Sequence, residues 1–213
     1  MPVVERVRKQ EEASDSGRTA LLVAARAAFA ERGLEGARVD DIARRARINK
    51  QLVYHYFGSK DGLYTAVLEQ VYQEIRNQER GLELDSFPAE EAMRKLIEFS
   101  FDYLEKSPEF VRILADENAH GCQNLKGSDV VTEVNRPIIE LIRATLARGV
   151  AAEVIRRGLD PLHVYLSIAG MSFFYFANMH TLTRAFDTEL GTARGVAERR
   201  AHIVDFALNA LRR

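Results

Sequence analysis

The sequence contains 213 residues, of which 46% are hydrophobic and 29% are charged, and its formal net charge is −1. This length and balance fit one large globular core, or one core with a smaller appended module. Cys122 is the only cysteine, which excludes a disulfide framework within one chain, and the polar first residues lack the apolar segment of a signal peptide, so we expect a cytoplasmic protein.

The predicted elements are all α-helices. Residues 1–15 are polar and are predicted to form a flexible arm. Beyond them, apolar residues recur at helical spacing, and the five prolines fall mostly where helices should begin or break. No segment shows the strict apolar alternation that is typical of a strand. The predicted helices span residues 18–32, 39–46, 50–57, 60–80, 88–105, 108–119, 129–149, 161–184 and 194–211.

The first three helices are short and closely spaced. The first should end at Gly33, because glycine suits the left-handed cap of a helix C-terminus. The second is barely two turns long and has Asp40 and Asp41 in its first turn, where the helix dipole favours anions. Asn49 is a good N-cap for the third helix. Two short helices joined by a turn of three or four residues predict a helix-turn-helix.

The third helix has two different faces. Val53, Tyr56 and Phe57 stand at i, i+3 and i+4 and should pack into the core. Gln51, Tyr54 and His55 should project from the other side, with Lys50 and Leu52 flanking them. An exposed tyrosine and histidine beside a lysine and a glutamine suit a surface that contacts DNA, since these side chains reach phosphates or base edges.

The positive charge of the chain is concentrated near this helix. Residues 1–60 carry twelve Lys or Arg against eight Asp or Glu, whereas residues 61–213 carry eighteen against twenty-three. Clustered cations attract polyanions, although a solvated helix face would look the same by charge alone. Ser59 should cap the fourth helix and place Lys60 at its N-terminus, where an ammonium and free backbone N–H groups can bind a phosphate.

These residues resemble a known family. The stretch from Phe29 through residues 39–43, 49–50, 54–57 and 59–63 resembles the N-terminal domain of the tetracycline-repressor (TetR) family of transcriptional regulators. The resemblance implies an all-α homodimer with a DNA-binding domain over residues 16–62 and a larger ligand-binding and dimerisation domain over residues 63–213. It also implies that a small-molecule effector in the second domain releases a double-stranded DNA operator. No cofactor, metal or catalytic residue is expected.

The predicted DNA contacts have two roles, namely binding phosphates and facing the bases. Arg38, Tyr56 and Lys60 are expected to hold phosphates, and Gln51, Tyr54 and His55 are expected to face bases or the groove edge. The complete predicted set is Arg38, Arg47, Asn49, Lys50, Gln51, Leu52, Tyr54, His55, Tyr56 and Lys60.

Three positions depart from the family pattern. Arg47 stands where the turn usually has glycine, which puts the usual turn conformation in question. Arg38 lacks the hydroxyl of the threonine that commonly caps the second helix. Gln51 replaces a common glycine and adds an amide that can read a base, which indicates a changed operator sequence.

The large domain contains an uncharged stretch, Val164 to Thr183. Its length would permit a membrane span, but its serine, asparagine, histidine and threonine residues favour a helix that faces its own core and a partner subunit. We therefore expect a homodimer through the helices near 161–184 and 194–211, related by a two-fold axis, and no membrane association.

The effector pocket is predicted from polar and aromatic residues on otherwise apolar segments. The candidates are Tyr103, Phe110, Glu117, Asn118, His120, Asn135, Phe174 and Asn178. Each of them could equally be an ordinary packing or helix-end residue.

Two alternatives remain open from the sequence. Glu117 and His120 form the Glu-x-x-His pair of di-iron bundle enzymes, but the chain lacks the second pair that such a site needs. The same fold could also act as an activator, or as a repressor whose ligand promotes DNA binding, because the sign depends on which conformation the ligand prefers.

Overall fold

The structure, a computed structural model, describes residues 3–126 and 128–213, with side chains from residue 15 onward. Within these ranges it consists of nine α-helices and one short 3₁₀ turn, with no strand beyond an isolated bridge between Ile155 and Arg212. The all-helical prediction is confirmed. The helices are α1 (Val3–Gly36), α2 (Val39–Ala46), α3 (Gln51–Phe57), α4 (Lys60–Arg80), α5 (Ala89–Lys106), α6 (Pro108–Ala119), α7 (Asp129–Ala151), α8 (Pro161–Phe186) and α9 (Ala193–Leu211).

Helices α2 to α9 begin and end within two residues of their predicted positions, because local signals set their ends. Pro108 and Pro161 are the first residues of α6 and α8, where the missing N–H of proline is not needed. The side chains of Asp160 and Thr192 accept hydrogen bonds from backbone N–H groups in the first turns of α8 and α9. Such caps can be seen in the sequence without knowledge of the tertiary fold.

Helix α1 begins much earlier than predicted. It starts at Val3 rather than near residue 18, since residues 3–16 contain neither proline nor glycine and are rich in good helix formers. Its predicted end is confirmed, because Gly33 leaves the helical conformation with φ +67°. The flexibility of the arm over residues 1–15 stays a prediction, and residues 1 and 2 lie outside the described part of the chain.

The chain divides into two compact units, of which the first comprises residues 1–71 and 112–128. It is larger than the predicted domain of residues 16–62, because it includes the first half of α4 and the last two thirds of α6. Tyr64, which is fully buried, packs its ring edge against Phe29 at 4.9 Å and donates a hydrogen bond to the Ile113 carbonyl at 3.2 Å. The fully buried core residues of this unit are Leu21, Ala25, Ile42, Val53, Leu63, Tyr64, Val67, Leu68 and Ile113.

The second unit comprises residues 72–111 and 129–213. Helices α5, α7, α8 and α9 surround one apolar core, in which each helix buries a stripe of side chains at helical spacing. The stripes consist of Met93, Leu96, Ile97 and Phe101 on α5; Ile138, Ile142 and Leu146 on α7; Val164, Ile168 and Tyr175 on α8; and Ile203, Val204, Ala207 and Leu208 on α9.

Helix α8 is apolar on two faces. The face opposite its buried stripe exposes Leu162, Leu166 and Phe174 to 49%, 53% and 56%, and Gly170 between them has open space where a side chain would stand. Phe206 on α9 is 58% exposed. The uncharged stretch of α8 therefore serves one internal and one external apolar surface. In the described part of the chain, no helix has the length and apolar character needed to cross a membrane.

Candidate nucleic-acid interface

The turn between α2 and α3 keeps the left-handed conformation in spite of its arginine. Arg47 has φ 57° and ψ 39°, and its backbone N–H donates to the Arg44 carbonyl at 3.1 Å, while the Ile48 N–H donates to the Ala43 carbonyl at 2.9 Å. These bonds close the end of α2 as a glycine turn would. A side chain in this conformation is strained by crowding of its Cβ, so the fold retains the turn at an energetic penalty.

We expect Arg47→Gly to raise the free energy of unfolding by about 0.5–1 kcal/mol, because glycine relieves the left-handed strain but makes the unfolded chain more flexible. Urea denaturation followed by circular dichroism would measure the change. Arg44→Gly, at an exposed helical position three residues earlier, serves as the control and should lower stability by about 1 kcal/mol. A loss of stability in Arg47→Gly would contradict the assigned strain.

Both predicted caps around α3 are present. The Asn49 Oδ1 accepts the Gln51 backbone N–H at 2.9 Å, and the Ser59 Oγ accepts the Gly62 backbone N–H at 2.9 Å. The first bond starts α3 directly after the turn, and the second starts α4 directly after Gly58. A side chain directly before each helix therefore caps its first turn, in α3 and again in α4.

The two faces of α3 are separated as predicted except at Leu52, whose apolar side chain is half-buried and packs against the core of the first unit. Val53 is fully buried, and Tyr56 and Phe57 are half-buried against the core of the first unit. Gln51, Tyr54 and His55 are exposed on the other side. This helix therefore presents an amide, a phenol and an imidazole to solvent, all of which can hydrogen bond to bases or phosphates.

Two of the predicted cations are available for phosphates. Arg38, which precedes α2 in an extended conformation, and Arg47 are both exposed. Among the side chains that the structure describes, neither arginine pairs with a carboxylate. Arg38 makes no side-chain cap, as the loss of the threonine hydroxyl predicted.

The two predicted lysines are engaged within the protein. Lys50 pairs with Asp40 across the turn at 3.1 Å. The Lys60 ammonium donates to the carbonyls of Leu34 and Glu35, at 2.9 and 3.4 Å. This arrangement differs from the predicted phosphate site, because carbonyls at the end of α1 lack helical partners and attract a cation.

An aspartate that the sequence reasoning missed fixes the end of α1. The Asp116 carboxylate of α6 accepts the Leu34 backbone N–H at 3.0 Å and the Tyr64 hydroxyl at 3.2 Å. A side chain at Gly33 would place its Cβ 2.7 Å from the Asp116 Oδ1. Glycine is thus required twice at this position, for its positive φ and for the approach of the carboxylate. Asp116 lies 82 residues from Leu34, and no local pattern signals the contact.

The predicted effector residues fall in both units. Within the first, Glu117 is buried and accepts hydrogen bonds from the backbone N–H groups of Asn124 and Leu125 at 2.9 and 3.2 Å. Asn118 and His120 are exposed and contact backbone carbonyls of their own helix. In the Glu-x-x-His pair, the Glu117 carboxylate and the His120 imidazole thus each contact backbone groups nearby in the sequence. In the described residues, no group of three or more His, Cys, Asp or Glu side chains could hold a metal ion.

The other predicted effector residues belong to the second unit. Tyr103 and Phe110 are buried and meet edge to face, with ring centroids 5.6 Å apart. Asn135 and Asn178 donate to backbone carbonyls one turn earlier in their own helices, and Phe174 lies on the exposed face of α8. Ligand binding by any of these eight residues stays a prediction.

Comparison with known proteins agrees with this arrangement. The family described as "Bacterial regulatory proteins, tetR family" matches residues 21–67, and the family described as "Tetracyclin repressor-like, C-terminal domain" matches residues 89–207. The chain is similar to the HTH-type transcriptional repressor NicS of Pseudomonas putida, with 35% identity over 94% of each chain. It is also similar to the HTH-type transcriptional repressor KstR2 of Rhodococcus jostii, with 29% identity over 67% of this chain and 70% of the relative.

A solved structure shows the same fold. The ketosteroid transcriptional regulator KstR2 of Mycobacterium tuberculosis superposes with a TM-score of 0.66 at 22% identity, over 92% of this chain and 95% of its own. The helix-turn-helix with its exposed α3, the all-helical second unit and the two family matches lead to one conclusion: the chain belongs to the tetR family of bacterial regulatory proteins.

Proposed function

We propose that this protein binds a palindromic DNA operator as a homodimer in the cytoplasm, and that a small-molecule effector releases the operator. The observation that carries this proposal is the exposed face of α3, which follows a closed turn and presents Gln51, Tyr54 and His55. A helix of this kind fits the major groove, where amide, hydroxyl and imidazole groups meet base edges. The protein then acts by binding rather than by catalysis.

The positive charges near α3 support the placement of this helix in the major groove. Arg38 and Arg47 lie at the ends of α2 and are exposed without acidic partners among the described side chains. Cations that flank a recognition helix neutralise phosphates on either side of the groove, which fixes the register of the helix on the duplex. We assign these two arginines to the DNA backbone, and the exposed polar side chains of α3 to the bases.

The apolar outer face of α8 supports a dimer. About half of the surface of each of Leu162, Leu166 and Phe174 is exposed in the single chain. Together with Gly170, these residues recur every four positions along one face of the helix. A contiguous apolar face of this kind is typical of a subunit interface. A two-fold axis there would repeat the α3 face and so match a palindrome.

Repression, rather than activation, of transcription is supported by the relative NicS, which is named a transcriptional repressor. In a purified transcription assay, addition of the protein should lower transcription from a promoter that contains its operator. A rise in transcription would instead support the activator alternative.

Gln51→Ala tests base reading directly. We expect it to remove the preference for one base pair in each half-site, a loss of about 1–3 kcal/mol against the preferred base, because the amide can no longer pair with a base edge. Selection of bound duplexes from a random library, performed with the wild type and the variant in parallel, would show the relaxed position.

The control for this experiment is Gln78→Ala, since Gln78 is an exposed glutamine on α4. Its selected sequences should equal those of the wild type. An equal loss of affinity on all sequences for Gln51→Ala would show that Gln51 contacts the backbone instead of a base.

A further inference from the structure

A small cavity of the second unit combines an apolar wall with buried charges. It has a volume of about 180 Å³ and lies between α7 and the C-terminal end of α4. The wall on α7 is aliphatic, and the wall on α4 is charged. The lining residues are Val134, Pro137, Ile138 and Leu141 on α7, and Arg76, Glu79 and Arg80 on α4.

Arg76 and Glu79 are charged residues whose side chains are buried, and burial of a charge is unfavourable unless it is paired. Each is only 4% exposed. The Arg76 Nη1 donates to the Glu79 Oε2, and the Arg76 Nη2 donates to the Tyr165 hydroxyl at 2.8 Å, with the tyrosine ring centroid 5.4 Å from the guanidinium carbon. A buried ion pair contributes little net stability compared with apolar residues of the same size. Its presence beside a cavity therefore indicates a binding role.

The guanidinium is not fully satisfied by these contacts. The Arg76 Nε is buried and has no hydrogen-bond partner in the described structure. A buried donor without a partner is destabilising, and a bound acceptor would relieve this. Because guanidinium donors form a planar fork, a carboxylate that accepts from Nε can also accept from a neighbouring Nη.

The charge and size of the cavity narrow the class of ligand. Arg76 and Arg80 outnumber Glu79, which leaves one positive charge in excess and disfavours a cation. Burial raises the pKa of Glu79 in spite of the adjacent guanidinium, so the site already holds its own anion at a penalty. An apolar cavity of about 150 Å³ accommodates benzene, and a long acyl chain would therefore not fit in this one.

We propose that this cavity binds a small organic monocarboxylate, with its carboxylate on Arg76 and an apolar body of about one six-membered ring against α7. The inference rests on the proposed function, and it names the chemical class of the effector. Tyr165 orients the guanidinium, and Glu79 competes with the ligand for it. Arg76 is thus the residue that distinguishes a carboxylate from its neutral analogue.

Calorimetric titration of the full chain without DNA tests the proposal, with benzoate as the probe and benzamide as its neutral isostere. Benzoate should bind, and benzamide should bind at least about tenfold more weakly, because its amide carries no charge for the guanidinium. An absence of benzoate binding, or equal binding of the two probes, would overturn the proposal.

Variants of the pair assign the binding to this site. Arg76→Met alone would leave Glu79 buried without a cation, so the test uses the neutral double variant Arg76→Met/Glu79→Gln, whose folding is verified by circular dichroism. The double variant should lose at least about tenfold in affinity for benzoate. Glu79→Gln alone, whose amide oxygen can still accept from Arg76 and whose folding is verified in the same way, should gain severalfold because the competing anion is removed. Unchanged affinity in the double variant would overturn the assignment.

Arg143→Met is the matched control, since Arg143 forms an exposed ion pair with Glu140 on the same helix. Its affinity for benzoate should equal that of the wild type. Binding of a selected operator duplex is measured separately without any ligand. Failure of that binding would overturn the proposed regulatory function, whereas intact operator binding without benzoate binding would overturn only the ligand class.

Discussion

Replacement of Asp116 by alanine is expected to lower the free energy of unfolding by about 1–3 kcal/mol. The Asp116 carboxylate accepts hydrogen bonds from the Leu34 N–H and the Tyr64 hydroxyl, and Tyr64 is fully buried. The variant leaves the Leu34 N–H without its acceptor, whereas the Tyr64 hydroxyl keeps the Ile113 carbonyl. A buried donor that loses its partner costs about 1–3 kcal/mol. Urea denaturation followed by circular dichroism would measure the loss.

Two further variants make the result specific. Asp116→Asn keeps one acceptor oxygen and should lose about half as much stability. Asp205→Ala, the control, removes an exposed aspartate that lies away from both ends of α9. It should change the free energy of unfolding by no more than about 0.5 kcal/mol. If Asp116→Ala were as stable as Asp205→Ala, the role of Asp116 in holding the end of α1 would be wrong.

The second large effect is expected at the outer face of α8. The double variant Leu166→Glu/Phe174→Glu should be monomeric and should bind the operator about a thousandfold more weakly, because each half-site is then bound without the contribution of its linked partner. Both side chains are more than half exposed in the single chain, so the monomer should keep its helical content. Light scattering after size-exclusion chromatography would give the mass, and fluorescence anisotropy the affinity.

Val154→Glu provides the control for added charge. Val154 is an exposed valine outside the helices, and its variant should remain a dimer with normal operator affinity. A dimeric Leu166→Glu/Phe174→Glu protein would show that the subunits meet through another surface.

The parts of the fold that the sequence predicted are those that short-range chemistry determines. The division of α3 into a buried face with Val53 and an exposed face with Tyr54 followed from helical spacing alone. The caps at Asn49 and Ser59 act on N–H groups two and three residues away, within the reach of a local pattern. The end of α1 at Gly33 followed from the preference of glycine for a positive φ.

The parts that the sequence did not predict depend on contacts between distant residues. Arg76 and Tyr165 are separated by 89 positions, and Lys60 and Leu34 by 26. An arginine on a helix is normally assigned to the surface, because its burial requires partners that only the tertiary fold supplies. For the same reason Lys60 was predicted to contact a phosphate, whereas in the structure its ammonium caps the end of α1.

If the protein binds its operator as proposed, the ion pair between Lys50 and Asp40 would affect its search for that site. Both side chains are more than half exposed, so the pair is weak and contributes at most about 1 kcal/mol. While it is closed, the acidic partner lowers the positive potential beside α3 and weakens attachment to random sequence, which depends on charge alone. At a proposed operator, Lys50 would exchange this partner for a phosphate with little loss of free energy. The protein would therefore leave incorrect sites sooner, and it would reach the correct one without long residence on the rest of the chromosome.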